Sequence, residues 1–279
     1  MKYYRPATVK DALKILGNRS ESCIPLYFPP RAKHISEWRA DAMVELTDLG
    51  LDEIQIKENE VIFGSMVSFE TIAKSEAVKA LWDGVLSEAA YLSATGALRN
   101  LASLGGSLMN PNFPAELILV LLALDAKIVL VSGNGSEQKV NIEDFLKDGK
   151  PELKKGSLIK AVILPLEKKT HLVLDRVART PSDASIVSVV VKADFPKEKA
   201  DQIRIAVFGA SPAPKRFQAA EKALGKGILT DSELDKAAEK AVKEAKPVGD
   251  YRGSQEYRAA MAGTLTRRAL KKLAEKSGN

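Results

Sequence analysis

Three strand-like runs crowd together between Leu172 and Phe208, and the periodic segments after Arg216 are all helically spaced. The runs cover residues 172–177, 185–191 and 203–208, and the last alternates apolar with polar before stopping at Gly209-Ala210-Ser211-Pro212. A parallel pair needs a crossover of a dozen residues or more, usually a helix, and no such segment lies between these runs. The spacing therefore predicts a small antiparallel sheet followed by helices, which are broken at Gly225-Lys226-Gly227 and Pro247-Val248-Gly249.

The first two thirds alternate strand and helix signals instead. Thr8 is placed to cap a helix with Asp11 at its third position, and Val9, Ala12, Leu13, Ile15 and Leu16 give it an apolar stripe ended by Gly17-Asn18. A short apolar run over 23–28 stops at Pro29-Pro30, residues 42–46 read as a strand, and 47–50 as a turn. Ile54 and Ile56, then Val61-Ile62-Phe63-Gly64, form a hairpin about Glu58-Asn59-Glu60. Ser68 opens a helical region, and 81–91 reads as a second helix. Residues 95–107 are too rich in glycine and small polar side chains for a stable helix. Pro111-Asn112-Phe113-Pro114 leads into an apolar helix over 115–124, then a strand over 127–131, a Gly-Asn-Gly turn at 133–135, a polar arm carrying Phe145 and Leu146, and a strand over 158–164 ended by Pro165. Breaks near 52 and 168 divide the chain into units 1–52, 53–168 and 169–279.

Composition narrows the chemistry. The 279 residues, 45% hydrophobic, are enough for a substantial core. The longest apolar run, 117–124, is interrupted at Asp125-Ala126-Lys127 and is too short to span a bilayer. The first residues lack the pattern of a secretion signal, so a cytoplasmic protein is expected. Cys23 is the sole cysteine, which excludes an internal disulfide and a Cys-rich zinc or iron–sulfur site. His34 and His171 are far apart and outside any H-E-x-x-H pattern, so no metal site and no catalytic acid, base or nucleophile is assigned. Redox chemistry here needs a bound organic cofactor or a partner. Net charge is +6, and residues 236–279 carry it, with eleven Lys or Arg against five Asp or Glu. Without a zinc finger or helix-turn-helix signature, nucleic acid is not the expected partner; the basic stretch reads as solvated helix faces or a surface that meets an acidic subunit.

The densest small-residue loop is Ser103-Leu104-Gly105-Gly106-Ser107, with Asn110 just beyond. Adjacent glycines let main-chain N–H groups approach an anion, and they equally serve a tight structural turn; the residues alone leave both open. The loop is neither a P-loop nor a G-x-G-x-x-G turn.

Taken whole, the run Leu98-Arg99-Asn100-Leu101-Ala102-Ser103-Leu104-Gly105-Gly106-Ser107-Leu108-Met109-Asn110 resembles the second flavin loop of the FAD-binding medium subunits of molybdenum hydroxylases, the carbon monoxide dehydrogenase and xanthine dehydrogenase type. Their form is close to I-R-N-x-G-T-L-G-G-N-x-x-N-A-S-P-x-x-D. Tyr4-Arg5-Pro6 with Ala12-Leu13 is similar to the family opening, and Phe63-Gly64-Ser65-Met66-Val67-Ser68 to its I-G-A-x-T segment. Leu121-Leu122-Ala123-Leu124-Asp125-Ala126 is similar to the family helix after the loop. Asp183-Ala184 with Val187-Ser188-Val189, then Arg252-Gly253-Ser254, Glu256-Tyr257-Arg258 and Arg267-Arg268-Ala269-Leu270, extend the likeness in order to the C-terminus.

The resemblance implies an α+β chain: two N-terminal α/β subdomains of the PCMH-type FAD-binding fold and a C-terminal domain with a small antiparallel sheet and helices. It implies FAD between these parts, molybdopterin in a large partner subunit, iron–sulfur clusters in a small one, and a dimer of heterotrimers. The positions it marks for the cofactor are Gly64, Ser65, Ser68, Ser103, Leu104, Gly105, Gly106, Ser107, Asn110 and Glu116, with backbone N–H groups of 103–110 donating to the diphosphate. The departure is the first flavin loop. Where the family has A-G-G-T-D-L, this chain has Ile24-Pro25-Leu26-Tyr27-Phe28-Pro29-Pro30, with no glycine and three prolines that lack an N–H. Two readings follow: FAD held through the second loop and apolar contacts, or a scaffold subunit that keeps the fold without the flavin.

Overall fold

The computed structural model describes residues 1–26, 40–110, 115–149, 151, 153–167, 169–180, 183–195 and 199–276. The expectations on Tyr27, Phe28, Pro29-Pro30, His34 and the segment 111–114 lie outside the described residues.

A three-stranded parallel sheet opens the chain. It comprises β1 (Lys2–Tyr4), β2 (Cys23–Leu26) and β3 (Ala42–Glu45), in the order β1-β3-β2, with α1 (Val9–Leu16) as the crossover from β1. The Thr8 hydroxyl accepts the Asp11 amide at 3.1 Å, and Ala12, Leu13 and Leu16 bury against Val44 and Leu46, as the stripe predicts. Pro25 is tolerated because β2 is an edge strand.

The second sheet has five strands. They are β4 (Ile54–Ile56), β5 (Glu60–Gly64), β6 (Lys127–Val131), β7 (Glu137–Asn141) and β8 (Leu158–Pro165), in the antiparallel order β4-β5-β8-β6-β7. Between β5 and β6 come α2 (Phe69–Lys74), α3 (Glu76–Lys79), α4 (Val85–Leu92), α5 (Gly96–Leu101), α6 (Leu104–Leu108) and α7 (Ala115–Ala123); α8 (Ile142–Phe145) follows β7. The expected polar arm is therefore an edge strand and a helical turn.

The segment 95–107, expected to be non-helical, forms α5 and α6. Weak propensity is overridden locally. Asn100 Nδ2 donates to the Gly96 carbonyl at 2.9 Å, Ser103 caps α6, and every residue of α6 is buried. The chain breaks between the two helices at Ala102 and Ser103, both extended.

The third sheet has the order β12-β11-β10-β9, antiparallel as expected, from β9 (Thr170–Val177), β10 (Val187–Asp194), β11 (Asp201–Phe208) and the two-residue β12 (Lys215–Arg216), which the sequence did not suggest. Then come α9 (Gln218–Lys222), α10 (Asp231–Glu244) and α11 (Gln255–Lys276). All of β10 is buried because both its faces are covered. Val187, Val189, Val191 and Ala193 join the core with Leu234, Ala237, Leu265 and Leu270 of α10 and α11. Val190 on the other face joins Leu172 and Ala206 in the core of the second sheet. The helix α7, apolar but for Glu116, lies in that shared core, where each buried leucine contributes about 2 kcal/mol. Its packing carries the chain's first two thirds onto its last, and it places Glu116 at the junction.

Candidate cofactor site

The strand β5 runs into a tight turn, Gly64-Ser65-Met66-Val67, before Ser68 caps α2 by accepting the Thr71 amide at 3.0 Å. The turn is tied on three sides: Gly64 N donates to Glu53 O at 2.9 Å, Ser65 N to Lys160 O at 3.0 Å and Met66 N to Leu51 O at 2.7 Å. A Cβ on Gly64 would lie 2.1 Å from the Leu51 carbonyl oxygen, so only glycine passes here.

The start of α6 docks on this turn. Phe69 N donates to Ala102 O at 3.1 Å, Leu104 N to Val67 O at 3.0 Å and Gly105 N to Ser65 O at 2.7 Å. The sequence-marked residues Gly64, Ser65, Ser68, Ser103, Leu104, Gly105, Gly106 and Ser107 thus form one block. Gly105 is glycine because a Cβ would sit 2.9 Å from both Cβ and O of Ser65.

The expectation that the amides of 103–110 are free to donate is corrected by the geometry over 104–107. Gly106 N donates to Ser103 Oγ at 3.1 Å and Ser107 N to Ser103 O at 3.0 Å, so the amides of 104–107 are all engaged within the chain. Ser107 Oγ donates to Leu104 O at 2.6 Å, and Asn110 N to Ser107 O at 3.1 Å. Folding the segment into a capped helical turn consumes the donors a loop would have offered.

Besides the Ser103 amide, what remains is hydroxyl chemistry. Ser65 is 3% exposed, and its Oγ has no hydrogen-bond partner among the described residues. Ser103, 2% exposed, accepts from Gly106 N, and its own proton meets no acceptor among the described residues. A buried orphan hydroxyl costs about 1–3 kcal/mol unless something outside the chain satisfies it. Ser65 therefore fits a bound group with acceptor oxygens, such as the diphosphate of a dinucleotide.

Glu116 is not part of this block. It is 4% exposed in the first turn of α7, accepts from Ser188 Oγ of β10 at 3.0 Å and lies 3.6 Å from Arg176 Nε. Arg176 also donates from Nη2 to the Asp183 carbonyl, while among the described residues its buried Nη1 has no partner; Ser185 Oγ is in the same condition. Arg176 and Ser188 were not legible as partners of Glu116, because they join it only through tertiary packing. The neighbouring Asp175, 7% exposed, is held by Arg268 and, at 3.4 Å, by Lys272, both on α11.

Among the described residues, no group of three or more His, Cys, Asp and Glu is placed to hold a metal ion, and no helix is long and apolar enough to cross a membrane.

Comparison with known proteins gives two family matches. Residues 1–167 match the FAD binding domain in molybdopterin dehydrogenase, and 174–273 match the CO dehydrogenase flavoprotein C-terminal domain. The glyceraldehyde dehydrogenase medium chain of Sulfolobus acidocaldarius is 25% identical, with 98% of each chain covered. Subunit alpha of the 6-hydroxypseudooxynicotine dehydrogenase complex of Paenarthrobacter nicotinovorans is 31% identical over 80% of this chain and 76% of its own. Among solved structures, a carbon monoxide dehydrogenase from Hydrogenophaga pseudoflava superposes with a TM-score of 0.86 at 25% identity, covering 97% of this chain and 96% of its own.

Proposed function

From a chain that belongs to the family of FAD-binding subunits of the molybdopterin dehydrogenases, we propose the flavin-bearing, electron-transferring medium subunit of a multi-subunit oxidoreductase. FAD, when bound, supplies the redox chemistry; the chain supplies binding, orientation and exclusion of water. The proposed partners are a large molybdopterin-binding subunit and a small iron–sulfur subunit, in a cytoplasmic complex that pairs as a dimer of heterotrimers. Relatives named as the medium chain of a dehydrogenase, or as one subunit of a dehydrogenase complex, support the partner set. The proposed units remain 1–52, 53–168 and 169–279, and the gap between the family matches, from 167 to 174, supports the second break.

The observation that carries the cofactor assignment is the unpartnered Ser65 hydroxyl beside the start of α6. Ser65 and Ser103 are proposed to donate hydroxyl protons to the diphosphate, while Gly64, Ser68, Leu104, Gly105, Gly106 and Ser107 hold those two serines in register. Asn110 and Glu116 are proposed to border the cofactor, with the guanidinium of Arg176 as a further donor.

A second reading, the flavin-free scaffold, draws on the engaged amides of 104–107 and on Pro25, which brings no N–H to the end of β2. One experiment separates the two. The chain is purified with its natively co-expressed partner subunits, and its visible spectrum is recorded for wild type, Ser65→Ala and Ser103→Ala. Flavin absorption in the wild type, reduced about tenfold in affinity for each hydroxyl removed, is the expected outcome. A complex of full subunit composition that absorbs only through its iron–sulfur clusters, and releases no flavin on denaturation, would establish the scaffold instead.

A further inference from the structure

A second polar site lies away from the serine block, in the seam between the five-stranded and four-stranded sheets. A cavity of about 360 Å³ is lined there by Asn59 and Glu60 of the β4–β5 hairpin, by Asp125 and Lys127 after α7, by Lys139 of β7, and by Lys192 and Arg204 of β10 and β11, among others.

Register explains how these charges converge. Lys127 pairs with Asn141, and Lys139 with Val129, so the two lysines are diagonal neighbours on one face of the sheet. Across the seam, Lys192 stands opposite Arg204 and Thr170 opposite Asp194, again on one face. The cavity is where these two charged faces meet.

The charges can be accounted for one by one. Asp125 is matched by Arg204 at 3.1 Å, and Glu60 by Lys57 at 3.4 Å. Lys192, with an 8% exposed side chain, binds Asp194, which Thr170 also holds. Among the described residues, Lys127 and Lys139 have no ion pair, and exposed Glu167 at the rim is the one unmatched acid of the lining. Two like charges at neighbouring sheet positions repel each other, and the ammonium of Lys192 and guanidinium of Arg204 keep further N–H groups beyond those already used. The backbone is also unusual here. Of the five non-glycine residues with positive φ among the described residues, Asp125 (57°) and Gln202 (48°) line the cavity, and Lys169 (67°) adjoins Thr170 of its wall. Such conformations persist only where surroundings impose them.

We propose that this cavity binds a small dianion, a phosphate monoester or a dicarboxylate, whose charge is met by Lys127 and Lys139. Lys192 and Arg204 donate from the opposite wall, while Gln202, Asn59 and Thr170 supply neutral polar contacts. The site is independent of the flavin assignment, since none of its residues belongs to the serine block or to the Glu116–Arg176 pair.

The test is calorimetric titration of the full chain with orthophosphate and, separately, with succinate, at constant ionic strength. Saturable one-site binding of either probe is expected, and the tighter one identifies the acidic group. Affinity should fall about tenfold in Lys127→Gln and again in Lys127→Gln with Lys139→Gln. It should return in the doubly Arg-substituted chain and stay unchanged in Lys240→Gln with Lys243→Gln, a change of two exposed lysines on α10. No saturable heat with either probe, or equal weakening in the α10 control, overturns the proposal. Binding that disappears once the partner subunits assemble also overturns it, since the cavity would then seat an acidic side chain of a neighbour.

Discussion

Arg258 donates from Nη1 to the main-chain carbonyl of Ile186 at 2.6 Å, although 72 residues separate the two. The same nitrogen reaches the Gly209 carbonyl at 3.2 Å, while Nη2 bonds Asp250 at 2.6 Å and Nε the Gly253 carbonyl at 3.3 Å. The side chain is 3% exposed. One planar fork therefore fastens the start of α11 to the approach to β10, to the end of β11 and to the loop before α11, which a compact ammonium could not do.

Replacing Arg258 with Met should accordingly unfold the last third first. It leaves the carbonyls of Ile186 and Gly209 buried without donors, at a cost of about 3 kcal/mol. The expected fall in Tm is about 5–10 °C in a thermal melt followed by circular dichroism. Arg258→Lys should recover less than half of it. Full recovery by lysine would mean that charge, and not the fork, is what the position requires.

Three glycine substitutions should rank by local geometry. Gly209 has φ +80°, and a Cβ there would lie 2.0 Å from the Ile186 carbonyl oxygen, so Gly209→Ala should yield little soluble protein. Gly105→Ala meets Ser65 at 2.9 Å and should cost about 2 kcal/mol, damaging fold and cofactor site together. Gly135→Ala also needs positive φ, +81°, but has nothing within 4 Å, so only about 1 kcal/mol of backbone strain is expected. Urea midpoints measure the order; Gly135→Ala proving the most harmful would refute it.

How far the sequence reveals this molecule depends on the range of the interaction concerned. The Thr8 cap, the hairpin at 54–64 and the three crowded strands are local or nearly so, and periodicity finds them. The helix α6 is not local, since its glycines are held by Ser65, Val67 and burial, and propensity alone argued against it. The serine block was marked by resemblance, but the engagement of its amides at 104–107 was not foreseen. Amide engagement is a tertiary fact, set by which carbonyls come within reach. Arg176 and Ser188 stayed invisible for the same reason, because Glu116 reaches them only when α7 packs on β10.

That junction makes its own prediction. Arg176→Met strands the carboxylate of Glu116, which is 4% exposed, and should cost about 3 kcal/mol. Glu116→Gln keeps an acceptor for Ser188 and should cost less. The double variant should be more stable than Arg176→Met alone, with a coupling of about 1–2 kcal/mol in a double-mutant cycle of urea midpoints. Strict additivity would show that the 3.6 Å ion pair contributes nothing.

Acid should loosen a different clamp. Asp83, left-handed at φ 58°, accepts from the Leu172 amide at 2.9 Å and lies 3.2 Å from His171 Nδ1 and 3.1 Å from Lys276 Nζ, so it ties the turn before α4 to β9 and the end of α11. Burial pushes its carboxyl pKa up, but the Leu172 amide, Lys276 and His171 outweigh burial and leave it below the ordinary value. A carboxyl depressed in the folded state contributes stability that is complete above its unfolded pKa of about 4, and loses it as pH falls through the folded value. Wild type should therefore exceed Asp83→Asn by about 0.5–1 kcal/mol near neutrality, allowing for solvent screening of a partly exposed group. The difference should narrow as the pH is lowered from about 5 through the folded value. Paired chemical melts across this range measure it; a gap that stayed constant would mean that Asp83 holds the turn through shape and the Leu172 hydrogen bond, with no contribution from its charge.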